Sequence, residues 1–297
     1  MTAPFIAEPG RYELTESDYH ADMVVGGSLS STGARTLATS CPARYLYERE
    51  HGRPDTPTFE FGRAYHSMVL GSGAQILEVA AKDWRSKAAA EAAAEARATG
   101  AIPLLVRDAD RARAMAAALR AHPIAGPLFA RPGRAEQSFV TRDPDTQVMC
   151  RARVDWIPDV PADARVLACD LKTTASAEPV AFAKSMANYG YHQQGAFYSD
   201  ALAQVLGLDV PPRFVLIAQE KEPPYLVTIA EPDDEAIAWG RELNRHALRT
   251  YARCTAAGEW PGYDHGPTGI ATLSLPGWQV TAYENAAYRR ELIGDPA

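Results

Sequence analysis

The sequence predicts an α/β core within one domain, carrying a helical elaboration on its N-terminal side. Three observations lead there. The 297 residues are 46% hydrophobic with a formal charge of only −7, which excludes a disordered chain. No run approaches the ~20 consecutive apolar residues of a membrane span. Helical and alternating segments follow one another as helices, a three-strand meander, helices, two strands and a helix, an order that suits one α/β layer architecture.

Residues 1–27 are polar, with Pro4, Pro9, Gly10, Gly26 and Gly27, and read as an arm. SLSSTGARTLATSCPARYLYERE (28–50) reads as a Ser/Thr-capped helix, a Cys-Pro break and a second helix start. FEFGRAYHSMVLG (59–71) is a short helix stopped by Gly71. The Ala-rich segment 83–98, with its interspersed charges, is a solvated helix, and 107–122 is another, stopped by Pro123. The segments 135–143, 148–159 and 165–173 alternate as strands. Residues 178–190 and 191–207 are consecutive helices; 213–221 and 225–230 are strands; 233–258 is a long helix. The tail is irregular and aromatic. The expected organisation is therefore an arm at 1–27, a domain over 28–279 (helical part 28–134, core 135–279) and a tail at 280–297.

The acidic balance argues against coating nucleic acid by bulk charge but permits a local basic groove. The excess of Arg (25) over Lys (5) follows genome composition, and makes each lysine informative. Cys41, Cys150, Cys169 and Cys254 include no C-x-x-C pair, so neither a paired-cysteine zinc site nor a disulfide framework is expected. With no basic start followed by an apolar run, a cytoplasmic address is the expectation.

The chemistry concentrates in VDWIPDVPADARVLACDLKT. Side chains alternate faces along a strand, so Asp170 and Lys172 project together while Leu171 points into the core. If the strands bearing Asp155 and Asp170 are neighbours, the two carboxylates converge on one hard cation, a typical Mg2+ arrangement. Lys172 beside it can hold the attacking water or stabilise charge developing on a phosphoryl group. A lone D-x-K is usually a solvated hairpin; the company it keeps changes the reading. Gly62 and His66 sit four apart on one helix, the glycine allowing close approach to a neighbour. Gln194 and Tyr198 are four apart on another helix face. Glu136 begins the first meander strand and adds a carboxylate.

Together these residues resemble the RecB/RecE branch of the PD-(D/E)xK nuclease superfamily. The branch pattern of G-x-x-x-H, an acidic strand residue, Asp, D-x-K and Q-x-x-x-Y occurs in order as Gly62–His66, Glu136, Asp155, Asp170–Lys172 and Gln194–Tyr198. The runs SLSSTGARTL, CDLKTTASAEPVAF, YGYHQQGAFYSDAL and TLSLPGW are similar to RecE-type phage exonucleases, over roughly residues 28–279. Pro144-Asp145 and Pro158-Asp159 spell a literal PD, yet the first sits in a turn and the second just past a strand end, so Asp155 is the expected ligand.

The resemblance implies a PD-(D/E)xK core, with a mixed central sheet between helices, hydrolysing DNA phosphodiesters. It implies Asp155, Asp170 and the Leu171 carbonyl on a catalytic Mg2+, replaceable by Mn2+, with His66 completing or flanking a second site. Lys172 orients the nucleophile, Glu136 helps to hold water beside the cation, and Gln194 and Tyr198 steer Lys172 or the phosphate. Some relatives carry an iron–sulfur cluster; here only Cys41 and Cys254 flank the core suitably, so none is expected.

Double-stranded DNA ends, digestion from the 5′ end leaving 3′ single strands, a tetrameric ring and a single-strand-annealing recombinase as partner are likewise implied. Ser30, Ser31 and Arg35 at a helix start are candidates for a 5′-phosphate pocket, with ordinary N-capping the simpler reading of the serines. Arg63, Arg151 and Arg153 are further phosphate candidates, and Lys184, Tyr189 and Tyr191 could line a channel. A structure-selective or single-strand nuclease, and a non-catalytic DNA-end-binding module, stay open as alternatives.

Overall fold

The computed structural model describes residues 5–52, 56–263 and 269–293. The N-terminal part runs β1 (Gly10–Tyr12), α1 (Glu16–His20), β2 (Leu29–Ser30), α2 (Ser31–Thr39), α3 (Pro42–His51) and α4 (Pro57–Leu70). It continues as β3 (Ile76–Val79), α5 (Lys87–Ala98), β4 (Ile102–Leu105), α6 (Val106–Ala121) and α7 (Ala125–Ala130). The meander is β5 (Gly133–Arg142), β6 (Met149–Pro158) and β7 (Leu167–Thr174). Then come α8 (Pro179–Tyr189), α9 (Tyr191–Leu206), β8 (Arg213–Glu220), β9 (Val227–Ala230), α10 (Asp234–Ala257) and α11 (Gly277–Ile293). Among these, no helix is long and apolar enough to cross a membrane.

The local signals act as the sequence predicts. Ser30 caps α2 by accepting from Gly33 N–H at 3.1 Å. Pro42 opens α3, where its missing N–H costs nothing. Gly71, left-handed at φ 64°, ends α4 as expected, while Thr56 caps its start at Pro57, two residues before the expected 59, in a segment read as loop.

The principal sheet runs β1-β5-β6-β7-β8-β9, with β2 paired to β6. Pairing is antiparallel apart from β2–β6 and β7–β8. Parallel strands need a crossover, which α8 and α9 supply between β7 and β8. On one face Leu37, Phe182, Phe197, Leu202 and Tyr251, from α2, α8, α9 and α10, pack over Val154, Ala168 and Leu216. On the other, Phe61, Tyr65, Met115 and Leu128, from α4, α6 and α7, pack over Cys169, Leu171 and Ile217. The sheet is therefore covered on both sides, as its two apolar faces require.

Several elements depart from expectation. Residues 5–27 are no detached arm: β1 pairs with β5, and Ile6 and Val24 are buried against Val140 and Met149. A second sheet forms where β3 and β4 pair in parallel around α5, segments too short, and in β4 too Pro-interrupted, to announce themselves as strands. The chain divides into compact units Met1–Trp260 and Pro261–Ala297, so the boundary precedes residue 279. The second unit contains α11, almost all of it after Trp278, a stretch that lacks the continuous apolar stripe by which a helix is read from sequence.

Candidate active site

β6 and β7 share a single registered pair, Trp156 opposite Cys169, before they diverge. In that antiparallel register Asp155 falls opposite Asp170 at the fork. The Asp155 carboxylate replaces a ladder bond there: its Oδ2 accepts from Leu171 N–H at 2.8 Å. The strand turns its faces over at the same place. Val154 and Ile157 belong to the cluster under α9, while Trp156 belongs to the cluster under α4. Across the ladder Glu136 is left-handed at φ 54°. A non-glycine residue so placed costs on the order of 1–3 kcal/mol, a strain found where a side chain must be re-aimed.

Two helices close the fork. From α4, His66 Nδ1 lies 3.5 Å from Asp155 Oδ2, and the imidazole hydrogen-bonds to the Leu171 backbone. Ligand atoms of His66, Glu136 and Asp155 lie within 4.8 Å of one another. From α9, Gln194 Nε2 donates to Asp170 Oδ1 at 2.8 Å and also hydrogen-bonds to the Tyr198 hydroxyl. Lys172 is ion-paired to the other Asp170 oxygen and stands 4.8 Å from the centroid of the Tyr191 ring.

The electrostatics are those of a partly buried acidic site. Burial, then Asp155, pushes the Glu136 carboxyl up to about 7. Burial pushes Asp170 up to about 6 against the pull of Lys172, and it raises Asp155 as well. Burial, then Lys172, lowers His66 to about 4, leaving a neutral imidazole with a lone pair to offer. Burial opposes the charge on Lys172, but Asp170 and Asp155 outweigh it and hold the ammonium above its usual range. Burial keeps the Tyr198 hydroxyl neutral, far above the ordinary tyrosine value.

These residues fit a divalent cation. The donor set combines oxygen ligands with one imidazole. Asp170 Oδ2 is buried with no hydrogen-bond partner beyond its ion pair with Lys172. Three carboxylates held above their usual range are an excess of unrelieved negative charge, which a cation would neutralise. The grouping differs from the expected one in a specific way. His66, Glu136 and Asp155 form the tight cluster, while Asp170 is turned to Lys172 and Gln194.

The expected phosphate contacts fare differently. Arg63 is ion-paired to Glu16 at 2.6 Å, Arg151 to Asp22 at 2.8 Å and Arg153 to Glu136 at 2.5 Å. Each guanidinium is thus already paired with a carboxylate of the chain itself. Ser30 is a helix cap and Ser31 is buried, the simpler of their two readings. Arg35 is half-buried beside Gly190, and Lys184 is exposed on α8. Gly62 makes no close approach: a methyl group there would touch nothing within 4 Å.

Sequence reasoning missed the part played by the N-terminal segment. Tyr19 is buried with the Arg151 guanidinium 5.5 Å and that of Arg153 5.8 Å from its ring centroid, and Glu16 holds Arg63. A signal was present in Thr15 before Glu16-Ser17-Asp18, an N-cap in which Thr15 Oγ1 accepts from Asp18 N–H and donates to the Asp18 carboxylate.

No curated protein matches the chain. Among solved structures, one described as a putative exonuclease from Eubacterium rectale is 12% identical, covers 91% of this chain and 99% of its own, and superposes with a TM-score of 0.59. At that identity the likeness is one of fold. A second, SSO0001, is 12% identical over 78% of this chain and 76% of its own, but its TM-score of 0.33 is too low to bear on the architecture. The family model for the PDDEXK-like domain of unknown function (DUF3799) matches residues 30–267, which include every residue of the fork and the helices that close it. With that match spanning most of its length, the chain belongs to this PDDEXK-like family.

Proposed function

We propose that the protein is a divalent-metal-dependent deoxyribonuclease acting at double-stranded DNA ends. The observation that carries the reading is the fork itself: Asp155 opposite Asp170, His66 on the first and the Lys172 ammonium on the second. His66, Glu136, Asp155, Asp170 and the Leu171 carbonyl would hold the cation. When bound, it would supply Lewis-acid polarisation of the phosphate and a more acidic water.

The chain's own residues do the rest. Lys172 is kept cationic by two carboxylates, so it acts by charge and not as a base: it orients the attacking oxygen and stabilises the phosphorane-like charge. Gln194 fixes the Asp170 carboxylate and is itself anchored by Tyr198, so this helix positions the acid that positions the lysine. Glu136, tied to Arg153, can accept a proton from a water at the cluster's edge.

Direction, processivity, a tetrameric ring and collaboration with an annealing recombinase come from the motif resemblance to RecE-type exonucleases. The description of the Eubacterium rectale protein as a putative exonuclease supports only the exonuclease part of this reading. The test compares linear duplex labelled at its 5′ or 3′ end with nicked and closed circular DNA, in Mg2+ and in Mn2+. Loss of the 5′ label before the 3′ label, with closed circles untouched, is expected. Cleavage of closed circles, or preference for single strands, would replace this reading by a structure-selective nuclease.

A further inference from the structure

We propose that Tyr189, backed by Tyr191 and flanked by Arg35, is the seat of the terminal nucleotide of a DNA end: the Tyr189 ring takes the base, Arg35 a phosphate. The inference rests on the nuclease reading and adds which part of the substrate is held where.

The junction of α8 and α9 builds this seat from three consecutive residues. Gly190, left-handed at φ 68°, turns the chain between the two helices. The rings of Tyr189 and Tyr191 stack across it with centroids 5.7 Å apart and planes at 23°. The inner ring is the one facing Lys172 at 4.8 Å, so the stack runs outward from the catalytic ammonium. Its outer member, Tyr189, is 56% exposed. Stacking on Tyr191 supports one side of the ring and leaves the rest of it open beside the proposed site.

Arg35 on α2 completes the arrangement. Its Cδ packs close to the turn, where a Cβ on Gly190 would meet it at 3.0 Å, while the left-handed φ is what favours glycine there. Its charge reaches the Tyr191 hydroxyl. Among the described residues no carboxylate pairs with Arg35, in contrast to Arg63, Arg151 and Arg153. Of the arginines expected to contact phosphate, it is the one whose guanidinium is still to be neutralised.

The chemistry narrows the ligand. Every nucleobase has a π-face, so such a platform accepts any sequence. Inside a duplex both faces of each base pair are covered by their neighbours. Only the last base, or one that has left the stack, can present a face to Tyr189. The seat therefore reads an end and not a sequence.

The test uses linear duplex with 2-aminopurine either as the terminal base or several pairs inside, titrated with the full chain in Ca2+ to read binding by fluorescence. Quenching of the terminal probe alone is expected, retained by Tyr189→Phe and lost in Tyr189→Leu. In Mg2+, Tyr189→Leu should raise KM for linear duplex roughly tenfold while kcat falls less. Arg35→Gln should reduce the slope of log affinity against log salt by about one. Equal quenching by wild type and Tyr189→Leu, or an unchanged KM in a folded variant, overturns the seat. Absence of any metal-dependent hydrolysis by the wild type overturns the nuclease reading itself, a separate result.

Discussion

Lowering the pH of the metal-free protein should weaken its grip on a divalent cation in a way this site dictates. A carboxylate must lose its proton before it can bind, so each group raised above its ordinary value makes affinity fall as pH drops through that raised value. Glu136 is held at about 7 and Asp170 at about 6. Between pH 8 and pH 5, proton competition at Glu136 costs about 100-fold in affinity and at Asp170 about tenfold, and the raised Asp155 acts in the same direction. His66, lowered to about 4, is already deprotonated throughout that range and contributes nothing. The folding consequence has two signs. The raised carboxylates erode metal-free stability as pH climbs from about 4 to 7, while His66, whose native value is depressed, costs stability as pH falls from about 6.5 to 4. Calorimetric titration with Mn2+ across pH 5–8 measures the affinity, and Glu136→Gln should flatten the upper part of the curve. A pH-independent affinity, or a fall centred near 6.5 that His66→Gln removes and Glu136→Gln does not, would refute the reasoning.

Other expectations follow from individual contacts. Gly62→Ala places a methyl group in open space inside a helix, so it should stabilise by about 1 kcal/mol and raise Tm by roughly 2–4 °C; a lower Tm by calorimetry would contradict the described surroundings. Tyr65 donates to Gln219 Oε1, and Gln219 in turn donates to the carbonyls of Met115 and Tyr225 at 3.0 and 3.1 Å. Tyr65→Phe should therefore cost about 1–3 kcal/mol in urea unfolding, since it leaves a buried acceptor unpaired; an unshifted midpoint would show that the bond is idle. Arg63→Gln should loosen the N-terminal segment, read as faster hydrogen exchange around Tyr19, while the salt dependence of DNA binding stays as it was, because Glu16 already neutralises that charge.

How much was legible depends on where each feature's cause lies. The capped start of α2, the stop at Gly71 and the alternation of β5, β6 and β7 are local, and the sequence spells them. The spacing of Asp170 and Lys172 reports a shared strand face, and the Gln194–Tyr198 spacing a shared helix face, so their meeting could be anticipated. What lay outside that reach depends on distant partners. Ile6 and Val24 look like isolated apolar residues until Val140 and Met149 meet them. Arg151 and Arg153 look like phosphate ligands until Asp22 and Glu136 close on them. The left-handed Glu136 has no sequence signature at all, because nothing in its neighbours prefers that conformation. That turn is what brings its carboxylate to His66 and Asp155 rather than to solvent.

In the proposed function, the acid pair at the strand fork, with Lys172 beside it, cuts phosphodiesters with the help of a divalent ion. The most direct measurement is release of acid-soluble nucleotides from linear duplex by the wild type and by Lys172→Ala, each with Mg2+ and with excess chelator, after far-ultraviolet circular dichroism has shown both proteins folded. For this function, release by the wild type in Mg2+, none in chelator, and a loss of at least about 100-fold in the variant are expected. Comparable release by folded Lys172→Ala, or release by the wild type that chelator leaves intact, would contradict it.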